Sequence, residues 1–92
     1  MKLKQLLKVT NPTQRVHVQV YAYGVFYAST LTDGMKTVED VLAHVRKDIL
    51  DAKVTFVIAT TAEEADIDFT VLYIQVELCK WHTPAQNFRK GG

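Results

Sequence analysis

The stretch Ile67-Asp68-Phe69-Thr70-Val71-Leu72-Tyr73-Ile74-Gln75-Val76-Glu77-Leu78-Cys79 decides the fold. It is β-branched and aromatic, with no Gly or Pro, so it reads as one long strand. Ile67, Phe69, Val71 and Tyr73 share one face, and Leu72, Ile74, Val76 and Leu78 the other. A strand of a one-sided antiparallel sheet alternates apolar with polar. This one is apolar on both faces over its middle, which predicts a central strand covered, at least in part, on both sides.

Working outward, Lys53 to Thr60 predicts a preceding strand, joined to the long one by an acidic loop over Thr61 to Asp66. Upstream, Thr37 to Leu50 predicts the main helix, with Val38, Val41, Leu42, Val45 and Ile49 on one stripe. Thr37 is placed to cap it, with Asp40 completing a capping box. Asp48 and Asp51 do not suit the negative end of a helix dipole, so the helix should stop near Leu50. Before the turn Thr32-Asp33-Gly34, Gln14 to Ala22 and Val25 to Leu31 form a hairpin around Tyr23-Gly24. A two-residue turn puts Val16, Val18, Val20, Val25 and Tyr27 on one face and pairs Tyr21 with Phe26 on the other. Lys2 to Val9 carries Leu3, Leu6 and Leu7 at helical spacing and ends at Asn11-Pro12. The order predicts an α+β fold: a single four-stranded sheet with a ββαββ core, one main amphipathic helix over the valine face, and a short N-terminal helix partly covering the other face. Residues 1–80 form the domain and residues 81–92 a tail, anchored by Trp81 or Phe88.

The 92 residues make one domain, and 48% hydrophobic with 23% charged residues is ordinary for a folded soluble chain. No apolar run approaches the ~20 residues of a membrane-spanning helix. The start of the chain lacks the apolar length and cleavage site of a secretory signal. With Cys79 the only cysteine, a reducing cytoplasm is the expected setting. The net charge of +1 is segregated, at +4 over residues 1–30, −5 over 31–68 and +2 over 69–92.

Several pieces together resemble a set of short, uncharacterised bacterial and phage accessory proteins. They are Leu3-Lys4-Gln5-Leu6-Leu7, Asn11-Pro12, Val16-His17-Val18, Leu50-Asp51-Ala52-Lys53-Val54 and Ile74-Gln75-Val76. The resemblance implies a mobile-element protein of the kind that acts by binding a host protein, and it supplies no activity. Thr37-Val38-Glu39-Asp40-Val41 with Ile49, the hairpin ahead of it and the terminal Gly91-Gly92 resemble ubiquitin-like β-grasp proteins, which implies a modifier. The extra N-terminal helix and the eleven residues between Cys79 and the glycines depart from that pattern.

Candidate chemistry is sparse. Cys79 and His82 supply half of a four-ligand zinc site, with only His17 and His44 left to complete it. A Cys–His catalytic pair lacks an orienting third group. Glu63, Glu64, Asp66 and Asp68 lack the glycine and spacing of a calcium loop. The isolated Gly24 and Gly34 make no phosphate loop. No cofactor or metal is expected, and no enzyme. Tyr21, Tyr23 and Phe26 beside His17, with Lys2, Lys4 and Lys8 nearby, could stack single-stranded nucleic acid, although eleven basic residues in a near-neutral chain are few for phosphate binding. The leading expectation is a non-enzymatic interaction module, self-associating or bound to a protein partner, that uses Tyr21, Tyr23, Phe26 and Trp81.

Overall fold

The computed structural model describes residues 1–30 and 34–78. Its elements are α1 (Leu3–Lys8), β1 (Arg15–Ala22), β2 (Val25–Ser29), α2 (Val38–His44), α3 (Lys47–Leu50), β3 (Lys53–Glu64) and β4 (Ile67–Leu78). The strands form one mixed sheet in the order β2-β1-β4-β3. β1 runs parallel to β4 and antiparallel to β2, and β3 runs antiparallel to β4. This is an α+β fold with a single four-stranded sheet and, among the described residues, three short helices. No helix among the described residues is long and apolar enough to cross a membrane.

Alternation decides which face of the sheet is buried. On β1, Val16, Val18, Val20 and Ala22 point into the core, and on β4 Ile74, Val76 and Leu78 join them. In the parallel register Val18 lies opposite Ile74 and Val20 opposite Val76, so the two strands make a continuous apolar floor. Val38, Val41, Val45 and Ile49 close over it from α2, α3 and their junction.

The N-terminal helix lies elsewhere than the leucine pattern suggests. Leu3 and Leu7 are fully buried in the same core as the valines, so all three helices cover one face. Six residues are too few for a helix to stand alone. Burial holds this one, together with the Leu3 N–H donated to Ala52 O at 2.9 Å and an ion pair from Lys4 to Asp51 at 2.9 Å. That pair keeps the Asp51 carboxyl below its usual range. The opposite face of β4 is therefore left without a layer above it among the described residues, contrary to the expectation of cover on both sides. The strand is nonetheless central, with neighbours on either edge.

The main helix is broken. Thr37 caps α2, its Oγ1 accepting from Asp40 N–H, while Asp40 accepts from Lys36 and Thr37 N–H groups at 3.3 Å. These backbone bonds, that from Lys36 first, hold the Asp40 carboxyl below its usual range. The helix stops at His44, because Val45 and Arg46 are extended, with ψ of 142° and 148°. A second short helix begins at Lys47. The break turns an unfavourable placement into a favourable one: Asp48 moves from the end of one long helix to the first turn of α3. There it receives a two-bonded fork from Arg46, at 3.1 Å to each oxygen.

The predicted acidic loop is also strand. β3 continues to Glu64 and reverses through Ala65 and Asp66, both with positive φ, 52° and 65°. Tyr23 and Gly24 do the same between β1 and β2, with φ of 53° and 76°. Positive φ at both central residues matches the twist of the flanking strands. The first hairpin keeps its predicted pairing of Tyr21 with Phe26, and a bulge between Val20 and Tyr21 lets Tyr27 pack against the core. The turn Thr32-Asp33-Gly34 lies outside the described residues except for Gly34, and the 81–92 tail wholly so.

Docking of α1 predicts that Leu7→Ala costs about 2–5 kcal/mol in urea unfolding, the range for an unrelieved core cavity. Thr37→Ala should cost about 1 kcal/mol through the lost cap. A Leu7→Ala cost near zero would mean the helix is not docked.

Candidate functional site

Among the described residues, the sheet face opposite the helices has no layer above it and gathers most of the aromatic side chains. The alternation that buries the valines turns Arg15, His17, Gln19 and Tyr21 of β1 outward. In the parallel register these lie opposite Val71, Tyr73, Gln75 and Glu77 of β4. β3 contributes Phe56 and Ile58, opposite Gln75 and Tyr73. Both are close to half exposed, at 46% each.

Side-chain bonds brace this surface along its length. At one end Tyr21 and Phe26 meet edge to face, with ring centroids 5.9 Å apart. In the middle, the hydroxyls of Tyr21 and Tyr73 both donate to Gln19 Oε1, the first at 3.2 Å. Tyr73 also meets the His17 ring edge to face at 5.0 Å. At the far end the Arg15 guanidinium lies 4.7 Å over the Phe69 ring and 3.2 Å from Glu64. Between the middle and this end is an open depression of about 490 Å³, lined by Arg15, His17, Lys36, Glu64, Phe69 and Tyr73 among others.

The structure brings Tyr21 and Phe26 together on this face. Phe26 is 53% exposed, whereas Tyr21 is half-buried. Tyr23 stands at the hairpin turn and is 68% exposed. Trp81, with Cys79 and His82, lies outside the described residues. His17 is on the outer face and His44 is exposed at the end of α2, and no group of three metal-ligating side chains occurs among the described residues. Glu63, Asp66 and Asp68 are exposed at the β3–β4 turn, with Glu64 tied to Arg15. Lys4 and Lys8 belong to α1 in the helical layer, on the far side of the sheet from the Tyr21–Phe26 rings, and Lys2 sits at the β3 edge, bridged to Lys53. The juxtaposition of lysines and rings needed for a nucleic-acid surface is therefore not formed by α1.

One contact escaped the sequence reading. His17 Nε2 and Ser29 Oγ are 2.7 Å apart. The signal lay in the hairpin register, since pairing Gln19 with Ser29 puts His17 diagonally across from that serine. Ser29 is buried, so its hydroxyl is a satisfied internal partner and is not presented to a substrate.

No family model matches the chain, and neither a curated protein nor a solved structure matches it. What the face can do is read from its own chemistry. It offers rings, an amide and an arginine in fixed positions, which suits binding.

Burial lowers the His17 pKa below its ordinary 6.5. The folded chain then takes up this proton less readily than the unfolded chain. Stability is full above about 6.5, falls as pH drops through that value, and levels off once pH is below the folded pKa. Urea unfolding between pH 8 and 5 should show this decline, and His17→Gln should flatten its upper part. A His17 ring titrating at or above 6.5 by NMR would contradict the burial argument.

Proposed function

We propose that this chain is a small non-enzymatic protein-interaction module that binds its partner through the outer sheet face, around Tyr21, Phe26 and Tyr73. The observation that carries the reading is an aromatic sheet face that no element covers among the described residues, while the helices all crowd onto the other. Contiguous exposed apolar surface of this kind marks interaction sites. The rings are already braced by Gln19 and His17, so little side-chain entropy remains to be lost on contact. The resemblance to phage and bacterial accessory proteins makes a host protein in the cytoplasm the natural partner. The ββαββ core is β-grasp-like in this reading, supported by a helical segment crossing between two pairs of strands. Single-stranded nucleic acid is the lesser reading, since the α1 lysines lie on the other side of the sheet. The modifier reading rests on Gly91 and Gly92, outside the described residues.

The double variant Tyr21→Ser with Phe26→Ser tests the surface. Immobilised wild-type chain should retain a defined host protein that the variant loses by at least tenfold, with the variant's circular dichroism unchanged. Equal retention by both would remove the rings from the contact. Unfolding of the variant would make them part of the core.

A further inference from the structure

The sheet has two edges, and they differ. β2 is five residues long and its ladder with β1 is interrupted by a bulge, both of which discourage pairing with another chain. β3 is twelve residues long, has no proline, and carries no charge between Lys53 and Glu63. Phe56, Val57 and Ile58 are each close to half exposed along it. Among the described residues only its beginning is occupied: Lys2 bridges to Lys53, and Met1 O accepts the Val54 N–H at 2.8 Å. From Phe56 to Glu64 the pairing with β4 is regular, and the outer edge has no backbone partner among the described residues. A long apolar edge of this kind is a template for another strand.

We propose that the occupant is β3 of a second copy, paired antiparallel across a two-fold axis to make one continuous eight-stranded sheet. Charge favours this partner and this direction. The free edge starts beside the N-terminal amine, Lys2 and Lys53, and ends at Glu63 and Glu64. Antiparallel self-pairing sets the acidic end of one copy beside the basic end of the other, whereas parallel pairing sets like beside like. A two-fold axis requires one residue to face itself. Met1 and Lys2 block the edge before Phe56, so the ladder is Phe56–Glu64 and the residue at its centre is Thr60. Ile58 then lies opposite Ala62, and Phe56 opposite Glu64. All five of these side chains share the outer face, so the contact surfaces of the two copies run together. The dimer rests on the reading of the sheet as a contact surface and extends that reading to the edge.

Residues directly opposite across an antiparallel pair have Cα atoms about 4.5–5.5 Å apart, within disulfide reach. Two copies of Ala62 would be about 14 Å apart in this register. In the full chain carrying Cys79→Ser, Thr60→Cys should form a disulfide-linked dimer on mild oxidation, and Ala62→Cys should do so at least tenfold more slowly. Thr60→Lys sets two ammonium groups face to face. It should weaken the dimer at least tenfold by light scattering, with circular dichroism unchanged. The proposal is overturned by a monomeric Cys79→Ser chain at millimolar concentration, which would mean that residues 79–92 or nothing occupies the edge. Equal cross-linking at 60 and 62, or a dimer indifferent to Thr60→Lys, would overturn it as well. A monomeric Thr60→Lys chain that still retains the host protein separates the two contacts. Loss of retention by the Tyr21→Ser, Phe26→Ser chain with its dimer intact separates them in the other direction.

Discussion

The parallel pairing of β1 with β4 is the contact on which the rest of the structure depends. Parallel neighbours cannot be joined by a tight turn, so everything between Ala22 and Ile67 has to serve as the connection. That connection carries β2 out along one edge, crosses the sheet through α2 and α3, and returns as β3 on the other edge. Because the crossing is made once, on one side, the helices have only one face to bury. α1 adds to that side, since its leucines find the valine floor and its backbone finds Ala52. That the described residues leave the other face without a layer is a consequence of topology before it is a matter of residue choice.

Residue choice then decides what the open face becomes. A face with no layer above it among the described residues could have been lined with lysine and glutamate. Here it carries Phe26, Phe56, Ile58, Phe69 and Tyr73, interleaved with polar groups that bond among themselves. Each ring left in water forgoes roughly 25 cal/mol for every Å² that burial would remove. The bonds to Gln19, the stack on Arg15 and the edge-to-face pairs hold Tyr73, Phe69 and Phe26, of which Tyr73 and Phe69 are half-buried and Phe26 is exposed. The surface therefore combines apolar rings with polar groups that bond to one another.

Period-two alternation made β1 legible, a long β-branched and aromatic run without Gly or Pro made β4 so, and the Thr37–Asp40 capping chemistry marked the start of α2. Gly24 marked the first hairpin, down to the pairing of Tyr21 with Phe26. The second hairpin was hidden, because Ala65-Asp66 carries no residue that announces positive φ and the acids beside it read as solvated loop. The break at Val45 and Arg46 was hidden too, since the same apolar spacing serves one helix or two. The misplaced Asp48 was its one trace in the chemistry. Which face α1 covers depends on a contact with Ala52, some fifty positions away, and no local pattern encodes that. Of the candidate contact residues, Tyr21 and Phe26 were found by alternation. Tyr73 and Gln19 emerged only when the parallel register was known.

The register that joins Arg15 to Val71 also sets the order in which the molecule can assemble. Its partners are 56 positions apart, while those of the two hairpins are near neighbours in the chain. Loop closure over such a span is entropically slow, so the hairpins form early and wait for each other. During that interval the flank of β4 destined for β1 is unpaired, as is the flank of β3 that has no backbone partner beyond Val54 among the described residues. A newly made chain thus spends its most vulnerable moments with both sides of one hairpin open to strangers, and rapid capture of β1 is what ends that exposure.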